Sequence, residues 1–282
     1  MDSPVGVSAA TPELLEVAVA LARGAGDVVR DGAAEVRSRA GGVGVSSKST
    51  PTDLVTEVDR ATERWLLERL RDWRPDDAVL GEEGGATEGS SGVRWLLDPI
   101  DGTVNFVLGL PDHAVSVAAE VDGVVVAGAV YAPATGELHH ASLGGGAHLT
   151  RAGGDEVRLT GPRGVPLDRA VLGTGFGYDP ARRSAQAAVL ARMIDRIADV
   201  RRIGAASLDL CAVAAGRLDG YWEVGLNAWD WGAGLLVATE AGALATGLYG
   251  RAPGAHMTAV AGPSCAAELF AVLEELDADA VG

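Results

Sequence analysis

Residues 95–106 read WLLDPIDGTVNF, an apolar run that breaks into two aspartates three positions apart, with proline between them and Gly-Thr after. The run has the composition of a buried strand. Pro99 stiffens the turn so that Asp98, the Ile100 carbonyl and Asp101 can face one centre, and Gly102 allows close backbone approach. A helical turn opening at Thr103 would point free N–H groups at the same place, which is an arrangement that binds anions. Two carboxylates held this close repel each other unless a proton or a metal ion lies between them.

Working outward, further acidic residues recur at the ends of apolar segments. Asp59 falls in the first turns of a helix, Glu82 and Glu83 follow the strand-like AVLG, and Asp230 opens another helix. Each alone has an ordinary explanation: Asp230 a helix cap, Asp101-Gly102 a turn, Glu82-Glu83 a solvated pair. Their shared placement at element ends is what those explanations leave over. Hard oxygen donors without His or Cys clusters select Mg²⁺, Mn²⁺ or Ca²⁺ over zinc. Several carboxylates suit two or more such ions. Carboxylates for metals beside amides for phosphate describe a metal-dependent phosphatase.

The rest of the chain frames this centre. A helix is expected from Thr11-Pro12, as N-cap and N1, with Gly24 and Gly26 weakening its second half. A Gly/Ser-rich loop follows, then a helix from about Thr56 to Arg74. From Ala114 an antiparallel meander is expected, with turns at Asp122-Gly123 and Thr135-Gly136. After about Thr150 strands and helices alternate. The expectation is an α+β / α/β fold of stacked helix and sheet layers. The 282 residues form one unit, with subdomains about 1–150 and about 151–282.

The formal charge of −16 argues against nucleic acid or an anionic membrane as partner. Cys211 and Cys265 lie in apolar stretches without C-x-x-C spacing, as in a reduced cytoplasmic protein. Nothing resembles a signal peptide or membrane span. Competing catalytic motifs fail. Walker A glycines do not precede Lys48, GTGFG at 173–177 is not a dinucleotide fingerprint, and no G-x-S-x-G occurs. The D-x-D-G-T of haloacid-dehalogenase-like phosphatases has one residue fewer between its aspartates than Asp98 and Asp101.

GEE at 81–83, WLLDPIDGTVNF and NAWDWGAG at 227–234 stand in an order and spacing that resembles the inositol monophosphatase family, bacterial inositol-1-monophosphatase type, within the fructose-1,6-bisphosphatase-like superfamily. KSTPTDLVTEVD at 48–59 and RRIGAASLDLCAVAAGRLDGYWE at 201–223 add to it. The resemblance implies a layered αβαβα sandwich of the sugar-phosphatase type and a Mg²⁺-dependent phosphomonoesterase using two or three ions. It implies that Glu82, Asp98 and the Ile100 carbonyl hold one ion, that Asp98, Asp101 and Asp230 hold a second, and that a third leans on Glu82. Thr103 paired with Asp59 would activate the attacking water, and Lys48 would sit in a loop approaching the metals. The N–H groups of Gly102 and Thr103 would bind phosphate, while Asp101, Ala206 and Glu223 would line the inositol end. Lithium inhibition and a homodimer are further implications.

The expected reaction is hydrolysis of myo-inositol monophosphate to myo-inositol and phosphate. Histidinol phosphate, fructose-1,6-bisphosphate and a 3′-phosphonucleotide are rival substrates for the same chemistry. Glu223 and the lack of an evident basic patch near it favour a neutral polyol. A non-catalytic regulatory protein on this fold would have lost a carboxylate, and none is missing.

Overall fold

The computed structural model describes the backbone of residues 7–38, 45–47 and 54–280. Helix α1 spans Val7–Ser38, so it begins ahead of the expected Thr11-Pro12 start. Pro12 removes one backbone hydrogen bond without ending the helix. The turns after it are anchored by Leu14, Ala18, Leu21 and Ala25, all buried. Gly24 and Gly26 do not interrupt it either. The Trp65 and Tyr131 rings pack where their Cβ atoms would stand, so the helix lies closer to its neighbours than alanine would allow.

Strands β1 (Val45–Ser47) and β2 (Leu54–Thr56) pair antiparallel. Helix α2 (Glu57–Trp73) starts on Thr56, whose side chain accepts from the Val58 and Asp59 N–H groups. After it come β3 (Ala78–Gly81), β4 (Ala86–Thr87) and β5 (Val93–Asp101), then the short helix α3 (Thr103–Leu108). The expected meander follows as β6 (Ala114–Val121), β7 (Val124–Ala132) and β8 (Glu137–Ser142), and continues through β9 (Gly146–Thr150) and β10 (Glu156–Arg158). These strands form an eight-stranded sheet ordered β10-β9-β8-β7-β6-β5-β3-β4.

The second half holds β11 (Val171–Thr174), α4 (Pro180–Met193), β12 (Asp199–Arg201), α5 (Ala206–Ala214), β13 (Gly220–Glu223) and α6 (Ala228–Glu240). It closes with β14 (Leu244–Thr246), β15 (Thr258–Ala261) and α7 (Ala266–Glu275). The five-stranded sheet runs β12-β11-β13-β15-β14. β11 is parallel to β12 and β13, as the alternation suggested, but β15 pairs antiparallel with β13 and β14.

Three apolar clusters define the layers. Leu14, Leu21 and Leu66 pack on Trp95, Leu97 and Val117 of the large sheet. Leu96, Ala118 and Val130, from that sheet's other face, meet Leu210, Ala233 and Val237 of α5 and α6, which also cover Tyr221 and Val260 of the small sheet. Leu172, Trp222 and Ala259 pack outward on Val189 and Met193 of α4 and Leu269 and Leu273 of α7. The result is a helix–sheet–helix–sheet–helix sandwich. Among the described residues no helix is long and apolar enough to cross a membrane.

Candidate active site

Side chains alternate faces along a strand, so residues three apart should point to opposite sides of the sheet. Leu96 faces α5 and α6, which places Asp98 on that face and would send Asp101 to the other. The β5–β6 register prevents this. Asp98 pairs with Ser116 and Asp101 with Ala114, so one extra residue is accommodated on β5. A bulge of this kind resets the alternation, and Pro99, which has no N–H to lose, sits inside it. Both aspartates therefore reach the same cleft.

Parallel pairing supplies the next carboxylate. β3 lies beside β5 with Gly81 opposite Leu97, and the Glu82 N–H donates to the Leu97 carbonyl at 3.1 Å. Glu82 thus emerges next to Asp98 at the carboxyl ends of both strands, where open sheets bind ligands. The loop after it is held by Glu63, buried on α2, which accepts from the N–H groups of Glu83 at 2.7 Å and Gly85 at 2.9 Å. Nothing in the motifs had singled out Glu63; its only sequence signal is a charge on the apolar face of α2.

Glu82, Asp98, Ile100, Asp101, Gly102, Thr103, Ala206, Glu223 and Asp230 all line one cleft, with a cavity volume of about 270 Å³. Asp59 does not line the cleft but stands behind Thr103, whose hydroxyl is 3.2 Å from Asp59 Oδ1 and 3.1 Å from the Ile100 carbonyl. Lys48 lies outside the described residues.

Two of these aspartates do double duty. Asp59 occupies the third position of α2 and accepts from the Thr56 N–H (2.9 Å) and hydroxyl through Oδ2, leaving Oδ1 for Thr103. Asp230 holds the corresponding place in α6, where its Oδ2 accepts from the Asn227 N–H at 2.6 Å. Each capping contact uses one oxygen, so the helix-cap explanation and a site role coexist. Gly102, at φ 89°, turns the chain from β5 into α3. A Cβ there would also come within 2.8 Å of the Asp112 carbonyl.

The electrostatics answer the question posed by the paired aspartates. Burial, then the charges of Glu82, Asp101 and Asp230, push the Asp98 carboxyl well above its usual range. Burial, with Asp101 and Glu82, does the same to Asp230. Asp101 is raised by burial against the pull of hydrogen bonds from Ser207 and Ala206. Asp59 is lifted to about 6, again by burial, although Thr56 opposes it. Glu223 is lifted to about 7 by burial, with Tyr221 donating to it at 2.5 Å.

One Asp98 oxygen, Oδ1, is buried with no hydrogen-bond partner. An orphaned carboxylate oxygen among like charges fits a divalent cation, whose charge would offset theirs. Among the described residues no three His, Cys, Asp or Glu side chains are gathered closely enough to hold a metal ion by themselves. An open wall of carboxylates and one carbonyl suits a hard ion that keeps waters and borrows substrate oxygens.

Two arginines, Arg182 and Arg202, also line the cleft, so the expectation of no basic groups near Glu223 is corrected. They are 20 residues apart in sequence and reach one cleft because β12 pairs with β11 while α4 packs on Leu172 and Trp222 of β11 and β13.

The family model described as inositol monophosphatase family matches residues 11–277. An inositol-1-monophosphatase of Mycobacterium leprae is 50% identical over 278 residues, covering 94% of this chain and 95% of that protein. A relative named Nus factor SuhB, from Pasteurella multocida, is 42% identical, covering 82% of this chain and 84% of its own length. The solved structure of Mycobacterium tuberculosis SuhB superposes with a TM-score of 0.80 at 45% identity, covering 95% and 98% of the two chains. With the sandwich, the bulged D-P-I-D strand end and these matches in agreement, this chain belongs to the inositol monophosphatase family.

Proposed function

We propose that the protein is a Mg²⁺-dependent phosphomonoesterase that hydrolyses myo-inositol monophosphate to myo-inositol and phosphate, working as one unit over residues 1–282. The observation that carries this is the orphaned Asp98 oxygen at the meeting point of Glu82, Asp101 and Asp230. Glu82, Asp98 and the Ile100 carbonyl would hold one ion, and Asp98, Asp101 and Asp230 a second; a third would lean on Glu82. When bound, such ions lower the pKa of water and stabilise charge on the attacking and leaving oxygens.

The chain's own residues then do the positioning. Thr103 carries one hydroxyl proton, which it donates to Asp59 or to Ile100. Donation to Asp59 turns its lone pairs toward the cleft, where they accept from the attacking water and orient it. Asp59, raised to about 6, is the base at the end of this relay. The N–H groups of Gly102 and Thr103, at the opening turn of α3, have no intrahelical acceptor and would bind phosphate oxygens. Asp101, Ala206 and Glu223 face the alcohol. Lys48 enters only through the motif it belongs to. Lithium inhibition, a homodimer and a cytoplasmic location complete the reading.

The test is phosphate release from myo-inositol 1-phosphate with Mg²⁺ or with EDTA, in the wild type and in Asp98→Asn. Release that needs Mg²⁺ and is lost in a folded Asp98→Asn protein supports the proposal. Release that survives either change overturns it.

A further inference from the structure

Glu223 is gripped from two sides. Side chains alternate along β13, so Tyr221 and Glu223 share the face turned toward α5 and α6, while Trp222 packs outward on α4 and α7. The Tyr221 ring is fully buried, and its hydroxyl donates to Glu223 Oε2 at 2.5 Å. The parallel strand β11 sets Gly173 opposite Tyr221 and Thr174 opposite Trp222, which brings Gly175 beside Glu223. A Cβ at Gly175 would overlap the Glu223 carboxylate, so the carboxylate rests against bare backbone on one side and a phenol on the other.

The phenol is held in the donor role. Burial, then the charges of Glu223 and Asp209, push its pKa well above the usual tyrosine range, so it keeps its one proton. Among the described residues its hydroxyl bonds to nothing but Glu223. Asp209 adds to this from α5, where it is buried with Oδ1 lacking any hydrogen-bond partner. A carboxylate has two oxygens to offer. Here Oε2 is taken, and Oε1 receives no hydrogen bond from the described residues. The terminal torsion of an unrestrained glutamate is broad; the tyrosine and the glycine narrow it. Glu223 lines the cleft and Tyr221 does not, so any effect of the phenol on a ligand passes through the carboxylate.

We infer that Tyr221 is a specificity-determining positioning residue, which holds one oxygen of Glu223 and so fixes the other as an acceptor for a hydroxyl on the substrate's alcohol. The preference it creates is for phosphate monoesters of polyhydroxylated alcohols over monoesters whose alcohol has no further hydroxyl. This inference rests on the phosphatase reading above.

The experiment reads the ratio of kcat/KM for myo-inositol 1-phosphate over phenyl phosphate in the wild type, Tyr221→Phe, Glu223→Gln and the double variant. Tyr221→Phe keeps the buried ring and removes only the hydroxyl. It is expected to lower the ratio about tenfold, through KM for the inositol ester, the scale of losing one hydrogen bond to a charged group. In the Glu223→Gln background the same change is expected to move the ratio by less than about twofold. An unchanged ratio in Tyr221→Phe, or an equal fall with and without Glu223, overturns the inference. Should Tyr221→Phe not fold, Gly175→Ala displaces the same carboxylate from the opposite side. An unchanged ratio there overturns the inference equally.

The pH profile is a readout that loosened packing would not move. Burial lifts Glu223 to about 7, with Asp101 adding to the rise and Tyr221 and Arg202 opposing it. Asp209 and Arg182 are the other charged groups on that side. The wild-type ratio should climb as the pH passes about 7. In Tyr221→Phe the climb should move to higher pH, because the lost bond favoured the charged form. A climb that stays in place overturns the inference. Dissociation constants for the two esters separate it from the phosphatase reading. A binding preference for the inositol ester that Tyr221→Phe abolishes, without turnover of either ester, keeps the inference and overturns hydrolysis. Turnover of both esters with a ratio unmoved by Tyr221→Phe does the reverse.

Discussion

The carboxylate of Asp101 accepts both the backbone N–H and the hydroxyl of Ser207, at 2.7 and 2.5 Å, and the Ala206 N–H at 3.2 Å. These bonds tie the bulged end of β5 to the opening turn of α5, joining the large sheet to the helical layer between the sheets. They also fix the rotamer of a carboxylate proposed to hold a metal, and they ease its burial with partial positive charge from a helix N-terminus. Replacing Ser207 with Ala removes the hydroxyl and keeps the N–H. Stability should fall by about 1 kcal/mol, read from urea unfolding. Mg²⁺-dependent phosphate release should fall by roughly tenfold or more, the scale of losing a group that orients a metal ligand.

Crowded carboxylates would make the proposed cation a structural component as well as a chemical one. Mg²⁺ should raise the thermal midpoint of the wild type, by mass action on a site present only in the folded chain. Asp98→Asn relieves the repulsion from Glu82, Asp101 and Asp230. That variant should melt no lower than the wild type without Mg²⁺ and gain little when it is added. Its catalytic loss should be about two to three orders of magnitude, as for removing one preorganised electrostatic group. Scanning fluorimetry with and without Mg²⁺ checks the first pair of outcomes, and phosphate release the last.

His139 offers a pH test remote from that cleft. It is buried on β8, neither ring nitrogen has a hydrogen-bond partner, and burial lowers its pKa from 6.5 to about 4 against the pull of Glu137. The unfolded chain takes up the proton near 6.5 while the folded chain refuses it until about 4. The stability due to neutral His139 is therefore complete above 6.5 and is lost as the pH falls from 6.5 to 4, by about 3 kcal/mol in all. His139→Leu should flatten that slope. Urea midpoints between pH 7 and pH 4.5 measure it.

Gly102 joins the turn proposed to face phosphate to the strand. Gly102→Ala forces a side chain into φ 89° and toward the Asp112 carbonyl. A loss of about 1–2 kcal/mol is expected from the backbone alone. Activity should drop further than stability, because the N–H groups of residues 102 and 103 are displaced together. Parallel urea titrations and phosphate assays separate the two effects.

Much of the reacting end was legible in linear order because its parts are local. DPIDGT carries two carboxylates, a carbonyl and two amides within six residues, and Thr56–Asp59 and Asn227–Asp230 are each a helix start whose third residue leaves an oxygen over. The α1 start was misread, and the direction of β15 in the small sheet was not read at all. Burial of Leu14 and Leu21 outweighs what Pro12 costs, and the strand direction of β15 is set by packing rather than by its own sequence.

The alcohol end was not legible in this way. Ser207 matters because it meets Asp101 from 106 residues away. Arg182 and Arg202 matter because the small sheet sets their elements side by side over Glu223, with glycines at 177, 204 and 225 leaving them room. By itself the sequence determined the DPIDGT core of the proposed phosphate site, since its two carboxylates, carbonyl and amides are neighbours along the chain and short-range backbone geometry aims them. The tertiary structure alone decided that Arg182 and Arg202 join Asp101, Ala206 and Glu223 in the cleft, because they are charged side chains from separate elements whose convergence only long-range packing can specify.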